Sequence, residues 1–127
     1  MRLNQVTVTV NDIEAAVDFY CRLGLKLIVR SDHYARFICP EGDSTFSVHL
    51  GETFSQPSTV VYFENDALDK TVAHLKLAGM VFETDPIDSS WLWREARLHD
   101  PSGNQICLFH AGNNRLNPPW RLADSYS

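Results

Sequence analysis

Polar and apolar residues alternate through Gln5–Val10, with Val6, Val8 and Val10 on one face and Gln5, Thr7 and Thr9 on the other, which predicts a strand. The period then lengthens. Ile13, Val17, Tyr20 and Leu23 fall on one stripe of a helix that Asn11 and Glu14 open in the manner of a capping box and Gly24 closes. Leu25–Arg30, Tyr34–Cys39 and Phe46–Leu50 read as three further strands, separated by the turn-forming runs Ser31–His33 and Pro40–Asp43.

The same order then repeats. Shifted by 55 positions, Asn11 falls on Asp66, Ile13 on Leu68, Glu14 on Asp69, Val17 on Val72, Tyr20 on Leu75 and Gly24 on Gly79. The second copy begins with a strand at Thr59–Glu64. Its helix starts at Asp66 with Asp69, presents Leu68, Val72 and Leu75, and stops at Gly79. Strands are expected at Met80–Thr84, Trp93–Leu98 and Gln105–Phe109, the last two joined by the turn His99–Asn104. Glu52–Ser58 lacks either period and reads as the linker. From Ala111 to Ser127 the chain is irregular, and Pro118-Pro119 bars a helix or central strand there. Trp120, Arg121 and Leu122 are candidates to fold back on the body. A strand–helix–strand unit cannot bury its apolar face alone, so the two copies are expected to form one domain with a pocket between them.

Composition narrows the function. The 127 residues are 44% hydrophobic and 21% charged, an ordinary globular balance. The net charge of −5, without a basic run, argues against nucleic acid and anionic membrane as partners. Neither a signal-type apolar core at the start nor a membrane-length apolar run is present, so a cytoplasmic location is expected. Cys21, Cys39 and Cys107 are an odd set without CxxC spacing and read as reduced thiols. HxxxH, HExxH, GxGxxG, P-loop and GxSxG patterns are all missing, which removes the main sequence support for several enzyme classes.

Three stretches carry a resemblance: Val6–Tyr20 followed by Leu23-Gly24-Leu25, then Leu68–Leu75 ending in Ala78-Gly79, then Asp100–Leu108. In their order and duplication they resemble the vicinal oxygen chelate superfamily of glyoxalase I, bleomycin-resistance proteins, extradiol dioxygenases and fosfomycin-resistance thiol transferases. The resemblance implies an α+β fold of two tandem βαβββ modules, forming a curled, mixed, eight-stranded half-barrel with its helices outside. On that reading, residues 1–127 form a single glyoxalase-like domain of repeat 3–51, linker 52–58, repeat 59–110 and tail 111–127.

The resemblance also implies a divalent metal held by the first and last strands of each copy. Those positions fall here on Gln5, His49, Val60 and Cys107. Valine has no donor, no carboxylate remains, and a thiolate suits zinc or copper better than magnesium or manganese. Because the chain departs from the family pattern at these positions, no metal or other cofactor is favoured, and the expected function is that of the superfamily's binding proteins, a pocket that holds a small organic ligand without turning it over. The alternative is a metal-dependent lyase, dioxygenase or thiol transferase with an atypical Gln5/His49/Cys107 site. His49 is then its catalytic candidate; otherwise it is a histidine satisfied by polar neighbours.

The ligand-binding candidates are Gln5, Tyr62, Trp91, Trp93, Arg94 and Cys107. Trp91, Trp93 and Arg94 suit a flat anionic ligand by stacking and charge, or else close the core or an interface. Phe37 and Tyr62 line a pocket or a core, and Arg36 is a carboxylate anchor or a solvated arginine. The expected partners are an aromatic or anionic small molecule and a second copy of the chain, since open sheet edges favour a homodimer.

Overall fold

The computed structural model describes residues 2–52 and 59–123. In chain order the elements are β1 (Gln5–Val10), α1 (Ile13–Leu23), β2 (Lys26–Arg30), β3 (Tyr34–Ile38) and β4 (Thr45–Leu50). The second series is β5 (Val60–Glu64), α2 (Leu68–Leu77), β6 (Ile87–Asp88), β7 (Arg94–His99) and β8 (Gln105–His110). The strands form two four-stranded sheets, ordered β1-β4-β3-β2 and β5-β8-β7-β6, so the duplication seen in the sequence reappears as one topology built twice. The fold is α+β.

Two compact units result. The first takes the chain up to Val60 together with His99–Gln105, and the second takes Val61–Leu98 with the residues from Ile106 on. The turn that follows β7 thus belongs to the first unit, although the repeat assigns it to the second copy.

In the first unit β1 runs parallel to β4, while β3 pairs antiparallel with both β4 and β2. Alternation puts Val8 and Val10 of β1, Ala35 and Phe37 of β3, and Phe46 and Val48 of β4 into the core, where α1 adds Ile13, Ala16, Val17 and Tyr20. The Tyr20 ring lies 4.6 Å from Phe46 and 5.7 Å from Phe37 between centroids, so Phe37 is core. Tyr20 also explains why the turn 99–105 is anchored here. Its hydroxyl donates to buried Asp100, whose other oxygen accepts the Ser102 and Asn104 N–H groups. Gly24 closes α1 at φ 118°, a left-handed conformation, with Leu25 N–H reaching back to the Tyr20 carbonyl.

Several local expectations need correction. Asp12, not Asn11, caps α1 by accepting the Ala15 N–H; the Asn11 N–H instead donates to Ser102 Oγ. Ala67 precedes α2 without a side-chain cap, and Asn65 Oδ1 takes the Ala67 N–H and the Thr71 hydroxyl in its place. The strand expected at Met80–Thr84 does not form. Met80 is buried beneath the helix end, Val81 is exposed, and the edge strand is the two-residue β6 further on. Trp120 and Leu122 remain exposed, at 57% and 69%, so they do not fold back. The linker 52–58 lies, apart from Glu52, outside the described residues. Among the described residues no helix is long and apolar enough to cross a membrane.

Candidate functional site

The second unit gathers its chemistry on one face of its sheet. Trp93, Glu95 and Arg97 alternate along and just before β7, Cys107 and Phe109 along β8, and β5 contributes Tyr62. The Trp93 and Phe109 rings stack at 4.6 Å between centroids, and Tyr62 meets both edge-on, at 6.0 and 5.6 Å. Tyr62 and Trp91 stay close to half exposed, at 43% and 46%, while Phe109 is buried beneath them, so the accessible part of the cluster is Tyr62, Trp91 and part of Trp93.

Two charged groups sit within it. Arg97 places its guanidinium 5.9 Å from the Tyr62 ring centre, and its Nη2 donates to Tyr62 Oη (3.4 Å) and Glu95 Oε2 (3.3 Å). Glu95 is buried, and its second oxygen accepts the Trp91 indole N–H at 3.0 Å. Burial opposes the Arg97 charge, but the Tyr62 hydroxyl, Cys107 and Glu95 together raise its pKa. Burial and the Glu95 charge push the Cys107 thiol up to about 11, against a smaller opposing effect of Arg97, so it stays neutral at pH 7.

Of the residues named from the sequence, Tyr62, Trp91, Trp93 and Cys107 come together here. Arg94 does not. Adjacent to Trp93, it points to the opposite side of the sheet, where it pairs with Asp69 of α2 at 2.8 Å and with Asp88 at 3.0 Å. That forked pairing raises the Arg94 pKa and lowers that of Asp69. Arg97 and Glu95 were the residues missed. Their place two and four positions after Trp93 on one strand face is the signal that would have found them.

Gln5 and His49 lie in the first unit, on the polar face of its sheet. Gln5 is in register with Thr45 and His49 with Thr9, four rungs away and about 13 Å along the strand. Between them Thr7 Oγ1 and Ser47 Oγ meet at 2.5 Å. On the same sheet Arg36 donates through Nε to the Tyr34 hydroxyl at 2.9 Å. A hydrogen bond from Ser47, with help from Arg36, holds the Tyr34 phenol below its ordinary pKa.

These facts test the metal positions. Val60 offers no donor, the Gln5 amide oxygen already accepts the Thr45 hydroxyl at 2.7 Å, and Cys107 would have to give up a proton that burial and the Glu95 charge hold more firmly than usual. His49, exposed, is the one strong donor of the four. The set does not fit a divalent centre.

A different trio does bring ligand atoms together. Glu64, Asp66 and His110 have donor atoms within 4.8 Å of one another, at the end of β5, the approach to α2 and the end of β8. His110 Nδ1 lies 3.6 Å from Asp66 and 3.9 Å from Glu64, and a cleft of about 330 Å³ opens beside it between α2 and Arg94. Glu64 has other work, however. Its Oε2 accepts the Ala111 and Gly112 N–H groups, and Arg115 lies 3.6 Å from its Oε1, a cation already in place.

Comparison with known proteins agrees with this architecture. Residues 2–108 match the family model described as Glyoxalase/Bleomycin resistance protein/Dioxygenase superfamily. A crystal structure of a glyoxalase/bleomycin resistance protein/dioxygenase from Nocardioides is similar with a TM-score of 0.79 and 21% identity, covering 97% of this chain and 90% of that one. A family enzyme from Burkholderia phytofirmans PsJN is similar with a TM-score of 0.72 and 24% identity, over 87% of this chain and 99% of the other. A superfamily member from Sphaerobacter thermophilus DSM 20745 gives 0.71 and 22%, over 87% and 97%. Comparison with curated proteins yields no match.

Proposed function

The chain belongs to the Glyoxalase/Bleomycin resistance protein/Dioxygenase superfamily, and on that footing we propose that it binds a small organic ligand, without a catalytic metal at the family positions. The observation that carries this reading is the accessible aromatic surface of Tyr62, Trp91 and the outer part of Trp93, backed by buried Phe109, with Arg97 set against Tyr62. The exposed rings offer a flat molecule aromatic contacts, each contributing about 0.5–1.5 kcal/mol beyond the area it buries. The arginine and the hydroxyl of Tyr62 give that molecule a polar end to meet.

Binding, not turnover, is favoured by the donor chemistry. The Cys107 thiol, neutral at pH 7, is a poor nucleophile, and the scarcity of donors at the family positions weakens the metal-enzyme alternatives. The protein is further proposed to work as a cytoplasmic homodimer, in keeping with the exposed apolar Ile28 and Val29 on edge strand β2.

A thermal-shift screen of small aromatic metabolites tests the reading, because stabilisation grows with ligand concentration over dissociation constant. The expected result is a saturable shift for at least one compound, weakened about three- to tenfold in affinity by Tyr62→Ala. An unaltered response in Tyr62→Ala and in Trp93→Ala would count against this face.

A further inference from the structure

We propose that the ligand class is a planar aromatic monocarboxylate, held through its carboxylate by Arg97; this rests on the aromatic face being the ligand site. The argument starts from how little of Arg97 is used. A guanidinium has five N–H donors, and here Nη2 alone makes both side-chain contacts, to Tyr62 at 3.4 Å and Glu95 at 3.3 Å. Both are long beside the 2.7–2.9 Å or so of a well-made charge-assisted bond. Nε and Nη1 donate to nothing among the described residues. A group held at full charge, about one-third exposed, with most of its donors open, is ready for a planar oxyanion.

Glu95 decides how many charges the ligand carries. It is fixed from both sides, by the Trp91 indole and by Arg97, and its side chain is only 7% exposed. It holds the guanidinium in place and offsets its charge. One carboxylate added to this neutral pair leaves a single net negative charge; a dianion leaves two, on a chain already at −5. An amine meets the exposed guanidinium first and the shielded Glu95 not at all, so cationic ligands are excluded. The accessible rings of Tyr62 and Trp93, backed by buried Phe109, match a carboxylate attached to a flat apolar body.

The test is calorimetric titration of the full chain with benzoate, 2-naphthoate and indole-3-acetate, each beside its amide and the corresponding amine. At least one acid should bind about tenfold or more tightly than its amide, with the amine weakest. In Arg97→Gln that preference should shrink to less than about threefold, and Arg97→Lys should restore part of it, with circular dichroism checking the fold of both. Should Arg97→Gln fail to fold, the acid–amide comparison on the unaltered chain still decides. Amides binding as tightly as acids would overturn the carboxylate assignment while leaving the aromatic face intact as a ligand site. Absence of binding by every probe at millimolar concentration would remove that site, and this inference with it.

Discussion

The Tyr20 hydroxyl donates a 2.7 Å hydrogen bond to Asp100 Oδ2, joining α1 to a turn 80 residues later in the chain. The bond is buried, and Asp100 also fixes its own turn through the Ser102 and Asn104 N–H groups. Asn104 in turn donates to the Thr9 carbonyl, and Ser102 Oγ to Asn11 Oδ1. Removing the Tyr20 hydroxyl leaves Asp100 Oδ2 with Asn104 as its remaining partner. Tyr20→Phe should therefore lower stability by about 1–3 kcal/mol in urea unfolding. A cycle with Asp100→Asn should show a coupling of at least about 0.5 kcal/mol; additive effects would mean that the two groups do not act together.

Alkaline pH should destabilise the fold through two groups. The Cys107 thiol ionises near its ordinary value of 9.0 when unfolded and at about 11 in the fold. Between these values the unfolded chain has released a proton that the fold retains, so rising pH favours unfolding. Burial, with the charge of Asp100 and its hydrogen bond, raises the Tyr20 pKa above 10.0 in the same sense. Stability should be level below about pH 9 with respect to both groups and fall above it, and Cys107→Ala should flatten the fall. A melting temperature independent of pH from 8 to 11 would contradict both assignments.

The two arginines of β7 should behave differently. Arg94 is held by Asp69 and Asp88 on the helix side, whereas Arg97 lies against Tyr62. Arg94→Gln should leave ligand affinity within about twofold and reduce stability only slightly, as for exposed ion pairs. Arg97→Gln should weaken an anionic ligand about tenfold. Equal losses of affinity in the two variants, measured by calorimetry, would show that strand alternation does not separate their roles.

Metal analysis of protein purified without chelator should give a substoichiometric content of zinc, iron and manganese. The Gln5, His49, Val60 and Cys107 set contains one strong donor, too few for a tight site. Stoichiometric ion that disappears on His49→Ala would reverse this reading and restore a metal-dependent enzyme.

Sedimentation at micromolar concentration should report a dimer. Ile28→Lys on the exposed β2 edge should then shift the equilibrium toward monomer, since a charge on an edge strand opposes pairing. A monomeric unaltered chain would contradict the proposed assembly.

Much of the architecture was written locally. The alternation of Gln5–Val10, the stripe Ile13–Val17–Tyr20 and the stopping glycines depend on neighbours within a few residues, and each appears in the fold. The 55-residue repeat likewise carried the twofold use of one strand order. What failed locally was finer. The cap moved from Asn11 to Asp12, because Asn11 is engaged by Ser102, a residue no local rule brings near.

The site divided along the same line. The sequence alone grouped Trp91, Trp93 and Arg94 as one ligand-binding set, whereas period-two alternation sends the adjacent Trp93 and Arg94 to opposite sides of the sheet. It did not determine which side would cover α2 and which would stay open. That depended on the pairing of β7 with the rest of its sheet and on the apolar stripe Leu68–Val72–Leu75, which is buried. Only the tertiary structure therefore selected Arg97 and Glu95 over Arg94, and only it brought Asp100 to Tyr20. Hydrophobic periodicity fixes which residues share a face; non-local pairing fixes what that face meets.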